Sequence, residues 1–83
     1  MYLHIGNNFM LYSKNIIAMM DKSIFGFKVN EKFIQRLYKR KRVVRICNKS
    51  EIKSVVLTDD GLCYITNISV RTLNKRFGKK NFK

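Results

Sequence analysis

Two runs rich in β-branched and aromatic side chains, Ser54-Val55-Val56-Leu57-Thr58 and Leu62-Cys63-Tyr64-Ile65-Thr66, flank Asp59-Asp60-Gly61. Such runs favour extended backbone, and Asp-Gly supplies the positive φ that a tight reversal needs, so residues 54–66 predict a β-hairpin. A second hairpin is predicted at the start, where Gly6-Asn7-Asn8 separates Tyr2 to Ile5 from Phe9 to Tyr12. Ile16 to Met20 is five apolar residues between polar neighbours and reads as a central strand buried on both faces. Val43 to Cys47 reads as a short strand carrying Arg45 outward, and Asn48 to Glu51 as a polar loop.

Helical periodicity occurs twice. Asn30 is placed to cap a helix in which Val29, Phe33 and Leu37, with Ile34 and Tyr38, make an apolar stripe, while Val29 and Ile34 stand at the spacing of a hydrophobic staple. Lys32, Arg36, Lys39 and Arg40 lie away from that stripe. The loop before it, from Asp21 to Lys28, carries Phe25 and Phe27, which are expected to fold onto the core. Near the end, Ser69 caps a second helix with Ile68 and Leu73 at the same staple spacing. Val70, Leu73 and Phe77 face inward and Gly78 stops it. No proline, repeat or low-complexity linker divides the chain. The reading is therefore one α+β domain over residues 1–78, with two hairpins, extra strands and two helices, followed by a basic tail at 79–83.

Size and charge pull against each other. A chain of 83 residues buries only roughly 60–65% of the surface its unfolded form exposes, so its core is small. It also carries a net charge of +13, which repels itself. The 46% hydrophobic and 12% aromatic content nevertheless belongs to a folding chain rather than a disordered basic tail. Self-association would supplement the core, and Ile16, Ile17, Met19 and Met20 supply more apolar surface than one short strand needs.

Fourteen of the eighteen Lys and Arg residues lie in two segments, Arg36 to Lys53 and Arg71 to Lys83, which together hold one acidic residue, Glu51. That distribution suits a polyanion. Nucleic acid is the first partner it implies, and an anionic membrane surface the weaker second. No uncharged apolar window approaches the length of a membrane span and the start lacks the form of a signal peptide, so the chain reads as cytoplasmic. Cys47 and Cys63 are too few and too far apart for a disulfide framework or zinc ribbon, and are read as small apolar residues.

Catalytic chemistry is not suggested. His4 is the sole histidine and sits among alternating apolar residues, Asp59-Asp60 is explained by turn chemistry, and the four glycines form no phosphate loop. No enzyme activity, cofactor, metal or small-molecule substrate is expected. Lys14 lies in a connection between strands, Lys49 and Lys53 flank the second hairpin, and Arg71, Lys75 and Arg76 lie on the exposed side of the last helix. These, with Arg45, are the candidate nucleic-acid contacts; most suit phosphates, while Arg45 or Arg71 can also read a base edge. Helix-turn-helix, zinc-finger, basic-zipper and aromatic RNA-platform patterns are absent from the sequence.

The opening MYLHIGNNFMLYSKNIIAMMD, together with KSVVLTDDGLCYIT and the closing ITNISVRTLNKRF, resembles the extracellular matrix regulatory proteins RemA and RemB, small DNA-binding regulators of biofilm-forming bacteria, and is most similar to the RemB type. The resemblance implies an α+β protomer related to the LytTR DNA-binding domain, assembled into a ring whose basic side chains bind duplex DNA. It also implies a role in transcriptional activation of matrix genes. By position, the family's basic residue before the third strand falls on Lys14. An arginine pair of the A type falls in the loop Asn48-Lys49-Ser50-Glu51, where Lys49 and the following Lys53 carry the charge. The alternative reading that the charge permits is an RNA-binding or ribosome-associated accessory protein.

Overall fold

The computed structural model describes residues 1–81, which form β1 (Tyr2–Gly6), β2 (Phe9–Tyr12), β3 (Ile16–Asp21), α1 (Glu31–Lys39), β4 (Val43–Arg45), β5 (Ser54–Thr58), β6 (Cys63–Thr66) and α2 (Val70–Asn81). Both expected hairpins form. Gly61 adopts φ +84° in the β5–β6 turn, and the Asp60 carboxylate accepts from the Thr58 hydroxyl and, at 3.2 Å, from the Leu62 amide. In the β1–β2 turn Gly6, Asn7 and Asn8 all take positive φ. Gly6 is required there twice over: its φ is +111°, and a Cβ would stand 3.1 Å from both the Thr66 hydroxyl and the Asn67 amide oxygen.

β1 and β2 form a sheet of their own, and the other strands form a second sheet in the order β3-β5-β6-β4, with β4 parallel to β6. Strand alternation divides the core. Val56 faces Leu3, Ile5, Leu11, Ile46 and Leu73, so the β1–β2 hairpin and α2 cover one face of the larger sheet. Val55 faces the other way with Cys63 and Ile65, where Leu37 of α1 and Ile24 of the preceding turn pack. The result is three layers. Side-chain bonds pin the first interface: the buried Thr66 hydroxyl donates to the Ile5 carbonyl, and the Ser54 hydroxyl donates to the Ile68 carbonyl at 2.5 Å. Both cysteines are free, and burial pushes the Cys63 thiol up to about 11, which keeps it protonated and unreactive.

Several sequence expectations are corrected. β3 is an edge strand paired with β5, not a central strand. Its apolar run serves both faces in turn, Met19 toward one cluster and Met20 toward the other, while a bulge between Ile16 and Ala18 leaves Ile17 61% exposed. Asn30 does not cap α1; its side-chain amide donates to the Ile24 carbonyl at 3.0 Å. Val29 is 86% exposed and makes no staple, and Phe25 and Phe27 stay substantially exposed instead of folding onto the core. These departures share a cause, since the segment from Lys22 to Asn30 folds as consecutive 3-10 turns that carry Ile24 inward and leave neighbouring side chains outside. Gly78 does not stop α2, which continues to Asn81, so the expected tail at 79–83 begins as helix; residues 82 and 83 lie outside the described residues. Ser69 does cap α2, accepting from the Thr72 amide at 3.2 Å.

The end of α1 carries strain at one residue. The Lys41 amide bonds the Tyr38 carbonyl at 3.0 Å and the Arg42 amide bonds the Leu37 carbonyl at 2.9 Å, a Schellman reversal with Lys41 at φ +56° where glycine is usual. Lys41→Gly should therefore raise stability by about 0.5–1 kcal/mol, read as a higher urea midpoint at unchanged m-value.

Candidate nucleic-acid interface

Register brings Asp21 opposite Ser54 and Ser54 opposite Thr66. The residues that leave β3, enter β5 and leave β6 therefore share one end of the sheet. Backbone bonds fasten them together: the Lys22 amide donates to the Lys53 carbonyl at 3.1 Å, and the Lys53 amide to the Thr66 carbonyl at 2.9 Å. The parallel strand β4 exits at the same end, where the Ile46 amide donates to the Ile65 carbonyl at 2.9 Å, and this delivers Asn48 and Lys49. α2 starts there too, with Arg71 in its first turn. Lys22, Lys49, Lys53 and Arg71 are all exposed, and the unpaired amides of a helix start add partial positive charge beside them.

Asp21 and Glu51, near this end, each accept a hydrogen bond from a backbone amide. Asp21 accepts from the Ser23 amide at 2.9 Å, a bond that holds its carboxyl below the ordinary value. Glu51 closes a capping box with Asn48, accepting from its amide at 3.4 Å. Asn7, Asn48 and Asn67 converge on a polar cleft of about 310 Å³ alongside Cys47 and Glu51. Ammonium groups of this kind engage phosphates, and carboxamides at the same surface can hydrogen-bond base edges.

The seven residues expected from the sequence do not gather on one surface of the protomer. Lys49, Lys53 and Arg71 come together, and the exposed Arg45, in register with Ile65 on the edge strand β4, lies toward the same end. Lys75 is exposed one turn beyond Arg71 on α2. Arg76 is exposed but has a structural task, its guanidinium donating to the His4 carbonyl at 2.9 Å and tying α2 to β1. Lys14 lies at the opposite end, beside Asn15, whose carbonyl accepts from the Asp59 amide at 2.8 Å; the length of β3, roughly 20 Å at its usual rise, separates it from Lys22. Lys22 falls outside both basic segments, so charge clustering along the chain does not mark it. Antiparallel pairing was the available signal, since the residue following one strand meets the residue preceding its partner.

The family model described as extracellular matrix regulatory protein A-like, named RemA-like, matches residues 2–77. The chain belongs to the RemA-like family. A comparison with curated proteins found no match. The RemA-like match starts at the first residue of β1 and ends at Phe77 of α2, whose side chain packs on the core cluster of Leu3, Ile5 and Leu73. It thus takes in Lys22, Lys49, Lys53 and Arg71 at the basic end of the sheet, and the family's theme is regulation of the extracellular matrix. Among the described residues no helix is long and apolar enough to cross a membrane.

Proposed function

We propose that this RemA-like protein is a DNA-binding transcriptional regulator of matrix and biofilm genes, acting as a homo-oligomer and standing nearest the RemB type. The observation that carries the reading is the convergence of Lys22, Lys49, Lys53 and Arg71 at one end of the sheet. Four exposed cations at one end suit a phosphate backbone, which offsets their repulsion by counterion release.

Assembly is supported by apolar surface on opposite layers. Tyr2 and Tyr12 pair with ring centroids 5.3 Å apart on the outer face of the β1–β2 hairpin, where Tyr2 remains 62% exposed. Phe27 and Tyr38 are exposed around α1, on the far side of the sheet. Two unlike patches on opposite sides favour head-to-tail contact, which closes into a ring when the rotation allows. In such a ring, as in the LytTR-related assemblies that the resemblance implies, the basic ends would line a common rim and engage DNA repeatedly.

Sedimentation of the full chain at micromolar concentration should give a mass well above the 9.9 kDa protomer, and a duplex should co-sediment with that species. A strictly monomeric protein would contradict the ring. Preference for structured RNA over duplex would favour the accessory-protein reading instead.

A further inference from the structure

We propose that the cleft between α1 and the β5–β6 turn binds a nucleoside triphosphate, a ligand distinct from the duplex and taken at the other end of the sheet. The cleft has a volume of about 340 Å³ and is lined by Phe33, Arg36, Leu37, Arg40, Arg42 and Gly61. That is within the range of small-ligand sites. Arg36 in the last turn of α1 and Arg40 at its C-cap are exposed four residues apart, so both guanidiniums can reach one anion in the cleft.

Arg42 is brought to the same cleft by construction. The Schellman reversal turns the chain back at Lys41, and the Arg42 guanidinium donates to the Asp60 carbonyl across the β5–β6 turn. Gly61 makes room for it, because a Cβ there would lie 3.3 Å from a guanidinium nitrogen. No carboxylate is among the lining residues. The Asp60 carboxylate accepts from the Thr58 hydroxyl and the Leu62 amide and lies close enough to Arg42 for their charges to interact. Arg36 and Arg40 can each engage a polyphosphate with two N–H groups, and Arg42, held in place by the Asp60 carbonyl, adds its remaining N–H groups.

The remaining walls choose among phosphates. Phe33 is half-exposed and Leu37 gives an apolar floor, so a flat base has a ring to stack on. A DNA duplex keeps its bases paired inside and would offer that ring nothing. The site also adjoins β4 and the start of β6, since the Cys63 amide donates to the Arg42 carbonyl at 2.8 Å, so an occupant would clamp α1 to the sheet edge.

Calorimetric titration of the full chain with ATP, GTP and inorganic tripolyphosphate at physiological salt tests the assignment. At least one nucleotide should bind saturably, one per protomer, and about tenfold or more tighter than tripolyphosphate, the difference being the stacking contribution. Arg36→Ala with Arg40→Ala should weaken nucleotide binding at least about tenfold with the far-UV spectrum unchanged, because both side chains are exposed and alanine favours helix. Phe33→Leu should bring nucleotide down to the tripolyphosphate level and leave tripolyphosphate itself unchanged. Lys49→Ala with Lys53→Ala should leave nucleotide binding intact. No saturable binding of either nucleotide up to millimolar concentration would overturn the proposal. So would equal affinity for tripolyphosphate, or indifference to the arginine pair.

Discussion

Replacing Lys22, Lys49 and Lys53 together by alanine is expected to lower duplex affinity by about two orders of magnitude at low salt and to flatten the salt dependence by about 2.7 in log–log slope, at about 0.9 per lost phosphate contact. The loss should be similar across DNA sequences, since these side chains carry charge and no base-reading geometry. The fold should persist. All three side chains are exposed, and the bonds that Lys22 and Lys53 make to the sheet come from their backbones, which the substitution leaves in place. Arg71→Ala with Lys75→Ala extends the test along α2. Arg76 is left out of that variant because its guanidinium holds the His4 carbonyl, so its removal would mix a structural effect with an electrostatic one.

Leu73→Ala should be the most damaging of the core substitutions at α2. Leu73 is 0% exposed and belongs to the core cluster of Leu3, Ile5 and Leu11, where α2 seats on the hairpin layer. A fully buried leucine truncated in this way costs about 3–4 kcal/mol, the transfer loss plus the cavity left behind. A domain of this size has a total stability of only about 5–10 kcal/mol, so the melting temperature should fall by about 15–25 °C. Val29→Ala supplies the contrast: 86% exposed, it should change stability by less than about 0.5 kcal/mol. Thermal melts of the two variants beside the parent check both figures.

The elements readable from sequence are those whose determinants are local. Asp60 shapes the β5–β6 turn through its carboxylate and Gly61 through its positive φ, Gly6-Asn7-Asn8 takes positive φ throughout the β1–β2 turn, and Ser69 caps α2 from one residue away. Position within a sheet is not local. Ile16 to Met20 looks apolar on both sides whether the strand is central or at an edge, and only the pairing of β5 with β6 and of β6 with β4 decides that β3 is at the edge. Asn30 carries the right side chain for a cap, yet the Ile24 carbonyl, six residues back, takes its amide first.

The same divide runs through the basic surface. Charge clustering marked Lys49, Lys53 and Arg71, but their meeting at one end depends on the antiparallel register of β3, β5 and β6 and on the parallel return of β4. That register also recruits Lys22 and leaves Lys14 at the opposite end. A linear scan sees neither. Arg76 shows a further limit, because its type and spacing match those of its exposed neighbours while a carbonyl 72 residues away claims it.

Duplex binding by the unaltered protein, followed from about 50 to 200 mM salt, tests the central claim most directly. If Lys22, Lys49, Lys53 and Arg71 each neutralise a phosphate, log K should fall against log salt with a slope of about −3.6 per bound protomer, and more steeply for an assembly that binds as a unit. Absence of duplex binding at the lowest salt, or an affinity that does not change with salt, would contradict the account.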